Sequence, residues 1–267
     1  ILQKKWNNLS GRPLSSSDWL YEHHIAKLPE RTNFIKNLFS NFKPKRIVDL
    51  GCGTGLWLEL INNTIDFDCE FIGIDSDKLA LEEAKKKSIR WNKKVTYIES
   101  DFMNIQDLPE ADLYLAFNVF SYIKSPSCFI DGIKDKLSQN GKLVIRQYDG
   151  AAIRFGPMTH ELRINIENVL FNSVNYSQSF KHYDLDRVFD VIENSTFEHK
   201  EINFELFQRN SPYPQDFYKY YSNTIKWTIN YLNENMSKEL QHWYNKHLVE
   251  SNSSYFYEVD LISILSR

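Results

Sequence analysis

Three glycines at alternating positions, with one carboxylate before them and another after them, are the residues of this chain best suited to bind a ligand. Asp49 lies in the apolar run that leads into Gly51, Gly53 and Gly55, and Asp75 ends the next apolar run. Glycine allows the backbone to approach a ligand where any Cβ would clash. A carboxylate after the second strand can accept hydrogen bonds from ribose hydroxyls. These residue types, in this order, predict a nucleotide-binding crevice at a strand–turn–helix junction.

The spacing of the glycines indicates which kind of nucleotide fits. A dinucleotide fingerprint would place its third glycine at position 56, where this chain has Leu56. Asp49, just before the turn, would also repel a phosphate. The pattern therefore favours a nucleotide ligand without phosphate, and an NAD-linked oxidoreductase is the weaker alternative.

Seven short apolar runs predict the strands that position these residues, and helical patterns alternate with most of them. Helices are predicted to begin at Leu56 and Pro126, and Asp77 and Asp184 are predicted to cap two others. Strands with helices between them predict a doubly wound α/β sheet. The predicted strands lie at 47–50, 70–77, 95–102, 111–118, 141–148, 201–207 and 255–265.

Taken together, the glycine turn and the acids at the strand ends resemble those of the class I S-adenosylmethionine (SAM)-dependent methyltransferases. The resemblance covers residues 44–148 by motif and the whole chain by topology. It implies a single methyltransferase domain over residues 1–267. Its sheet would be seven-stranded and mostly parallel, in the order 3-2-1-4-5-7-6, with the last strand antiparallel. SAM would be the cofactor and S-adenosylhomocysteine its product.

The resemblance also implies which residues hold the cofactor. Asp75 would bind the ribose hydroxyls, and Asp101 would meet the exocyclic amine of adenine. Tyr21 would reach the cofactor carboxylate from the N-terminal segment. The other implied contacts are Asp49, Gly51, Cys52, Gly53 and Gly55 in the turn, Ser76, Phe102 and Met103 beside the adenine, and Asn118 and Val119 near the sulfonium.

Candidate groups for the methyl acceptor follow the fourth and fifth strands. An oxygen nucleophile usually needs a base, most often His, whereas an amine has only to arrive unprotonated. His160 and His182 are the predicted bases, and Tyr148 and Asp149, at the end of a strand, are the other catalytic candidates. The predicted substrate contacts are Tyr122, Arg146, Arg154 and Tyr183.

Three segments exceed what the sheet requires and are predicted to cover the substrate. They are an N-terminal lid at 1–43, which carries His23-His24, and cap insertions at 150–183 and 210–253. The last of these has two helical stripes of apolar and aromatic residues. The covers would close over the carboxyl ends of the strands, where ligands of such sheets bind.

The composition argues against several functional classes. The net charge is −3, and the dispersed Lys and Arg form no basic patch for a nucleic acid. No run approaches the roughly 18 apolar residues of a membrane span, and the N-terminus lacks an apolar signal region. Three cysteines without metal-ligand spacing favour a reducing, cytoplasmic setting and no metal.

These observations predict a SAM-dependent methyltransferase acting at N or O of a small, aromatic or amphipathic metabolite. The aromatic content of 15% agrees with an aromatic pocket. Two alternatives remain: an enzyme that methylates a protein or RNA, and a non-catalytic SAM-binding partner subunit. The aromatic stripes at 210–253 would serve a dimer face as well as a cap, so monomer and homodimer are both open.

Overall fold

The computed structural model describes residues 16–148, 154–174, 185–251 and 253–267, and its strands form one mixed sheet. The predicted apolar runs all become strands, and a further short strand, β6, lies in the predicted insertion at 150–183. The strands are β1 (Arg46–Leu50), β2 (Glu70–Asp75), β3 (Val95–Glu99), β4 (Ala111–Phe117), β5 (Leu137–Tyr148), β6 (Arg154–Gly156), β7 (His199–Asn210) and β8 (Tyr255–Ser266).

The strand order confirms the predicted topology. The sheet runs β3-β2-β1-β4-β5 in parallel, and β8 pairs antiparallel with β5. One edge of β8 is fully occupied by β7, from the His199–Ser266 pair to the Asn210–Tyr255 pair. β6 therefore shares the other edge of β8 with β5 and adds an eighth strand to the seven predicted. The predicted sixth and seventh strands are β7 and β8.

Helices cover both faces of the sheet, which explains why its central strands are almost continuously apolar. Phe34 and Leu58 belong to the core cluster on one face, and Phe129, Ile130 and Val188 belong to the cluster on the other. The helices are α1 (Ser17–Ala26), α2 (Leu28–Leu38), α3 (Leu56–Thr64), α4 (Lys78–Ser88), α5 (Pro126–Lys136), α6 (His160–Val174), α7 (Leu185–Glu193), α8 (Gln215–Ile229) and α9 (Glu234–Tyr244), the last continued by a π-helical segment at Asn245–Glu250.

A third core cluster joins the helices beyond the sheet. It is largely aromatic and includes Phe155 of β6, Phe217 and Tyr221 of α8, and Trp243 of α9. Ala26, the last residue of α1, belongs to the same cluster, and Trp19 packs against it. α1 is thereby held against the sheet's carboxyl edge by α8. No helix in the described part of the chain is long and apolar enough to cross a membrane.

The short connections place polar groups at the carboxyl ends of the parallel strands. Of the two predicted helix caps, that of α4 is confirmed, since the Asp77 carboxylate accepts hydrogen bonds from the Leu79 and Ala80 amides. The other, Asp184, lies outside the described residues. A 3-10 turn at Phe120–Tyr122 follows β4, and another at Ile105–Asp107 precedes it. Residues from the connections after β1, β2, β3 and β4 line one cleft.

Candidate active site

The turn after β1 takes a conformation that requires glycine. Gly51, Gly53 and Gly55 have φ values of 70°, 51° and 78°, in the left-handed region that disfavours residues with a Cβ. The amides of Gly51 and Cys52 both donate to the Ile74 carbonyl, at 2.8 and 3.1 Å. A Cβ on Gly51 would lie only 2.6 Å from Val119 Cγ1. The backbone of this turn therefore borders the cleft directly.

Asp75 ties the end of β2 to the glycine turn. Its Oδ2 accepts a hydrogen bond from the Gly53 amide at 2.7 Å, and its Oδ1 accepts one from the Asp77 amide at 2.8 Å. Burial raises the pKa of Asp75 above its ordinary value. The side chain also lines the cleft, so it is positioned to accept further hydrogen bonds from a ligand.

Asp49 lies beneath the turn and outside the cleft lining. Burial, followed by the neighbouring charge of Asp75, raises the pKa of Asp49 to about 8. Its Oδ2 has no hydrogen-bond partner among the residues that the structure describes. The raised pKa favours the protonated carboxyl, whereas the sequence suggested a charge at Asp49 that would repel a phosphate.

Asp101 and Phe102 form the wall of the cleft after β3. Asp101 Oδ1 accepts a hydrogen bond from the Met103 amide at 3.0 Å, which shapes the turn. Phe102 packs edge-on against Phe129, with ring centroids 5.9 Å apart. Phe102 and Met103 both pack against the core cluster on this face, but Met103 does not line the cleft.

The end of β4 is bonded to the end of β5 through Asn118. This residue has φ 57°, its amide donates to the Arg146 carbonyl at 2.7 Å, and its Oδ1 accepts from the Tyr148 amide at 3.1 Å. Asn118, Val119, Tyr122 and Tyr148 consequently line one end of the cleft.

The roof of the cleft comes from α1 and α2. Trp19, Leu20 and His23 of α1 and Arg31 of α2 line it, and none of these four was predicted as a site residue. Leu20 lies directly over the turn, since a Cβ on Gly53 would be 3.5 Å from Leu20 Cδ1. The aromatic and apolar residues of α1 indicate in the sequence that one side of this helix is packed against other residues. They do not indicate that the helix lies over the cleft.

A buried ion network fastens this roof to the sheet. Lys27, at the end of α1, contacts the Glu258 carboxylate and donates to Asp260 Oδ1 at 3.2 Å. Asp260 Oδ2 also accepts from Arg146 Nε at 2.8 Å, and Arg146 Nη2 pairs with Glu205. These side chains, apart from Glu205, are nearly inaccessible to solvent. Such pairs are costly to break, since the remaining charge is left buried and unpaired.

Arg31 stands apart from these pairs. Its Nη1 lies 2.7 Å from His24 Nδ1, and its guanidinium lies 4.6 Å from the centre of the Trp57 ring. Its Nε has no hydrogen-bond partner within the described residues. Because Arg31 lines the cleft, its cation is suited to an anionic group of a ligand.

The chain matches a known family over most of its length. A model of the methyltransferase domain matches residues 41–245. The chain belongs to the methyltransferase domain family. This confirms the predicted class I SAM-dependent family and, with it, SAM as the cofactor.

Individual relatives match a smaller part of this chain than the family model does. A trans-aconitate 2-methyltransferase of Rhizobium leguminosarum bv. trifolii is 31% identical over 134 residues, 49% of this chain and 50% of that protein. The mitochondrial ubiquinone biosynthesis O-methyltransferase of Schizosaccharomyces pombe is 26% identical over 121 residues, 43% of each chain. The chain therefore spans about half the length of the curated relatives that it matches.

One solved structure aligns over more of this chain than these two relatives do, but its sequence identity is lower. It is a phosphoethanolamine N-methyltransferase 2 of Haemonchus contortus, bound to phosphomonomethylethanolamine and S-adenosylhomocysteine. It aligns over 95% of this chain and 60% of that chain, with a TM-score of 0.54 and 14% identity. At this identity the likeness shows the fold alone.

The cleft of this methyltransferase domain fits SAM in its charges and its shape. The carboxylates Asp75 and Asp101 lie at one end, at β2 and β3, where a phosphate would be repelled. The glycine turn leaves the middle open, because a Cβ there would fill it. Arg31 and the aromatic residues near β4 and β5 lie at the other end. SAM is a nucleoside joined to an amino acid. The hydrogen-bond donors of its nucleoside match the carboxylates at one end of the cleft, and its own carboxylate matches Arg31 at the other.

Most of the predicted cofactor residues meet at this cleft, whereas several predicted acceptor residues do not. Gly55 precedes α3 outside the lining, and Tyr21 is 52% exposed on α1. Asp149, His182 and Tyr183 lie outside the described residues. The predicted residues that line the cleft are Gly51, Cys52, Gly53, Asp75, Ser76, Asp101, Phe102, Asn118, Val119, Tyr122 and Tyr148.

Three predicted acceptor residues are placed elsewhere, and each has a physical reason. Arg146 is buried between Asp260 and Glu205, so its charge is already paired within the protein. Arg154 of β6 pairs with Glu167 at 2.7 Å. His160 is the exposed first residue of α6. None of these three side chains lines the cleft, so the structure gives no support to their predicted contact with a substrate.

Proposed function

We propose that this chain transfers a methyl group from SAM to N or O of a small, partly aromatic or amphipathic molecule. The observation that carries the proposal is a single cleft with two different ends. Carboxylates lie at the ends of β2 and β3, and a buried cation and aromatic rings lie near β4 and β5. Because the chain spans about half of its curated relatives, their substrates do not transfer to it directly.

In this proposal the acids hold the nucleoside end of SAM. Asp75 already accepts two amide hydrogen bonds that fix its carboxylate, which leaves its remaining acceptor sites for ribose hydroxyls. Asp101 is fixed similarly by the Met103 amide and would accept from the adenine amine. Ser76 and Phe102 would lie against the base, and Gly51 and Gly53 against the methionine portion.

Arg31 would hold the carboxylate of the methionine portion. Its guanidinium lines the cleft, and its position 4.6 Å from the centre of the Trp57 ring fixes its plane. SAM supplies the electrophilic methyl group when it is bound. The protein's own task is to orient the acceptor in line with that group and to exclude water.

The acceptor would occupy the end of the cleft near Trp19, Tyr122 and Tyr148. These side chains are large, flat and amphipathic, and so suit an aromatic or amphipathic small molecule. We further propose that residues 1–43, 150–183 and 210–253 serve as covers of this end. The packing of Ala26 and Trp19 into the aromatic cluster of α8 and α9 supports that assignment.

The test is incubation of the protein with methyl-labelled SAM and a deproteinised metabolite extract. A labelled small product would support the proposal. Label confined to added protein or RNA would refute it in favour of a macromolecular substrate. Tight SAM binding without any turnover would refute it in favour of a non-catalytic partner subunit.

Two arginines form a matched pair for the cofactor assignment. Arg31→Met removes a cleft cation, and calorimetry should show SAM affinity falling by about 10-fold or more, as expected for a charged hydrogen bond. Arg154→Met removes a half-buried cation paired with Glu167, outside the cleft, and should leave SAM affinity unchanged. Equal affinities for the two variants would refute the role given to Arg31.

A further inference from the structure

His23 lies at the acceptor end of the cleft, between two tyrosines. Its ring stacks on Tyr220 of α8, with centroids 5.2 Å apart and planes 9° apart. It meets Tyr148 of β5 nearly edge-on, with centroids 5.7 Å apart. Tyr148 and His23 both line the cleft, so the imidazole is held rigidly where an acceptor would bind.

A fully buried carboxylate lies behind this imidazole. His23 Nε2 is 3.3 Å from Glu258 Oε1, and Glu258 also accepts a hydrogen bond from the Tyr220 hydroxyl at 3.2 Å. Lys27 contacts the same carboxylate. A carboxylate that accepts from one ring nitrogen of His fixes the proton there. With the proton on Nε2, the lone pair of Nδ1 is the basic site left over.

The surrounding charges keep His23 neutral before reaction. Burial and then the cations Lys27, Arg31 and Arg146 hold the pKa of His23 well below its usual range, and His24 acts weakly in the same direction. Of these cations, Lys27 and Arg146 pair with the carboxylates Glu205, Glu258 and Asp260, and Arg31 lies apart from these pairs. When Arg31 is counted with them, the three cations and three carboxylates sum to zero formal charge while His23 is neutral.

We propose that His23, oriented by Glu258, is the catalytic base that takes the proton of a hydroxyl acceptor. This inference rests on the proposed function and narrows it to oxygen methylation. The acceptor oxygen forms its bond to the methyl carbon as the carbon–sulfur bond of SAM breaks, and the hydroxyl proton passes to His23 Nδ1. The products are a methyl ether, neutral S-adenosylhomocysteine and imidazolium.

Because the net charge of the cleft is conserved during the step, His23 can act as a base although its pKa is low. Bound SAM places one positive charge, on sulfur, in the enclosed cleft. The step removes that charge while His23 gains one, so the net charge of the cleft does not change. Glu258 stabilises the imidazolium, and the nearby cations then favour release of its proton to solvent.

The first test needs no substrate. In protein labelled with ¹⁵N-histidine, the His23 resonances, identified by their loss in His23→Gln, should report a neutral ring protonated at Nε2 across neutral pH. A ring protonated at Nδ1, or a charged ring at neutral pH, would overturn the proposal.

The second test uses His23→Ala with labelled SAM and the extract fraction that carries the acceptor. Methyl transfer should fall by about 10²–10⁴-fold, while SAM affinity measured by calorimetry is retained. Free imidazole should restore part of the rate, because it can enter the space that the side chain leaves. His242→Ala is the control, since His242 is exposed on α9 and lies outside the cleft lining, and imidazole should not raise its rate.

The outcomes separate this inference from the function on which it rests. No labelled product with the unmodified protein would refute the proposed function. Transfer by the unmodified protein together with a nearly undiminished rate in His23→Ala would overturn only the role of His23. A reduced rate in His23→Ala that imidazole does not restore would also overturn it, because a purely structural histidine gives that result.

Discussion

Alanine substitutions at Gly51 and Gly53 separate two ways in which a Cβ would destabilise the glycine turn, namely backbone strain at a positive φ and steric overlap with a neighbour. Both residues have a positive φ, of 70° and 51°, so both variants strain the backbone. Only at Gly51 does the new Cβ meet a close neighbour, at 2.6 Å from Val119 Cγ1. At Gly53 the nearest atom is Leu20 Cδ1 at 3.5 Å, which is ordinary van der Waals contact.

The expected magnitudes follow from these distances. A residue with a Cβ in the left-handed region costs about 1–2 kcal/mol, which applies to both variants. Overpacking adds about 1–3 kcal/mol at Gly51 alone. Val119 is β-branched and buried, so its χ1 is stiff and it cannot turn aside easily. Gly51→Ala should therefore lose about 2–5 kcal/mol of unfolding free energy and Gly53→Ala about 1–2 kcal/mol.

The assay is urea denaturation of both variants, with SAM affinity measured by calorimetry on the folded samples. Because Val119 lines the cleft and would be displaced, Gly51→Ala should also bind SAM more weakly than Gly53→Ala. Equal unfolding free energies and equal affinities would refute the reasoning, since the strain alone would then account for both.

The remaining predictions concern acids and the ion network. Asp75→Ala should weaken SAM binding by about 1–3 kcal/mol, and unchanged affinity in calorimetry would contradict the ribose assignment. Asp49 has a native pKa of about 8, above its unfolded value. The unfolded chain thus binds fewer protons between about pH 4 and 8, so unfolding free energy should fall with rising pH in that window, and Asp49→Asn should reduce the fall. Arg146→Met should cost about 3–5 kcal/mol in denaturant unfolding, because Asp260 loses a partner, whereas a substrate-binding arginine would alter activity without that loss.

The sheet was predictable because its signals are local. The apolar runs, the alternating glycines and the cap at Asp77 each depend on a few adjacent residues. The cofactor end of the cleft was predictable for a related reason. Parallel strands bring their carboxyl ends to one edge, so Asp75, Asp101 and Asn118 had to lie near one another.

The roof of the cleft was not predictable, because it depends on contacts between distant parts of the chain. His23 becomes a cleft residue through Glu258, which is 235 positions away in sequence. Arg146 appeared to face the substrate because it lies near the end of β5. The antiparallel pairing of β8 brings Asp260 beside it, and that register cannot be read from a short window.

Glu258 contacts both Lys27, which fastens the roof to the sheet, and His23, the proposed base. This double contact determines which substitution can test the mechanism. Glu258 accepts from His23 and Tyr220 and also pairs with Lys27. Substitution of Glu258 would release α1 from β8 and misorient the imidazole together, so a lost activity would not distinguish the two effects. Substitution of His23 leaves the pairs of Lys27 with both carboxylates in place. A loss of methyl transfer in His23→Ala, with SAM affinity kept and imidazole rescue, therefore reports the proton transfer rather than the closure of the cleft.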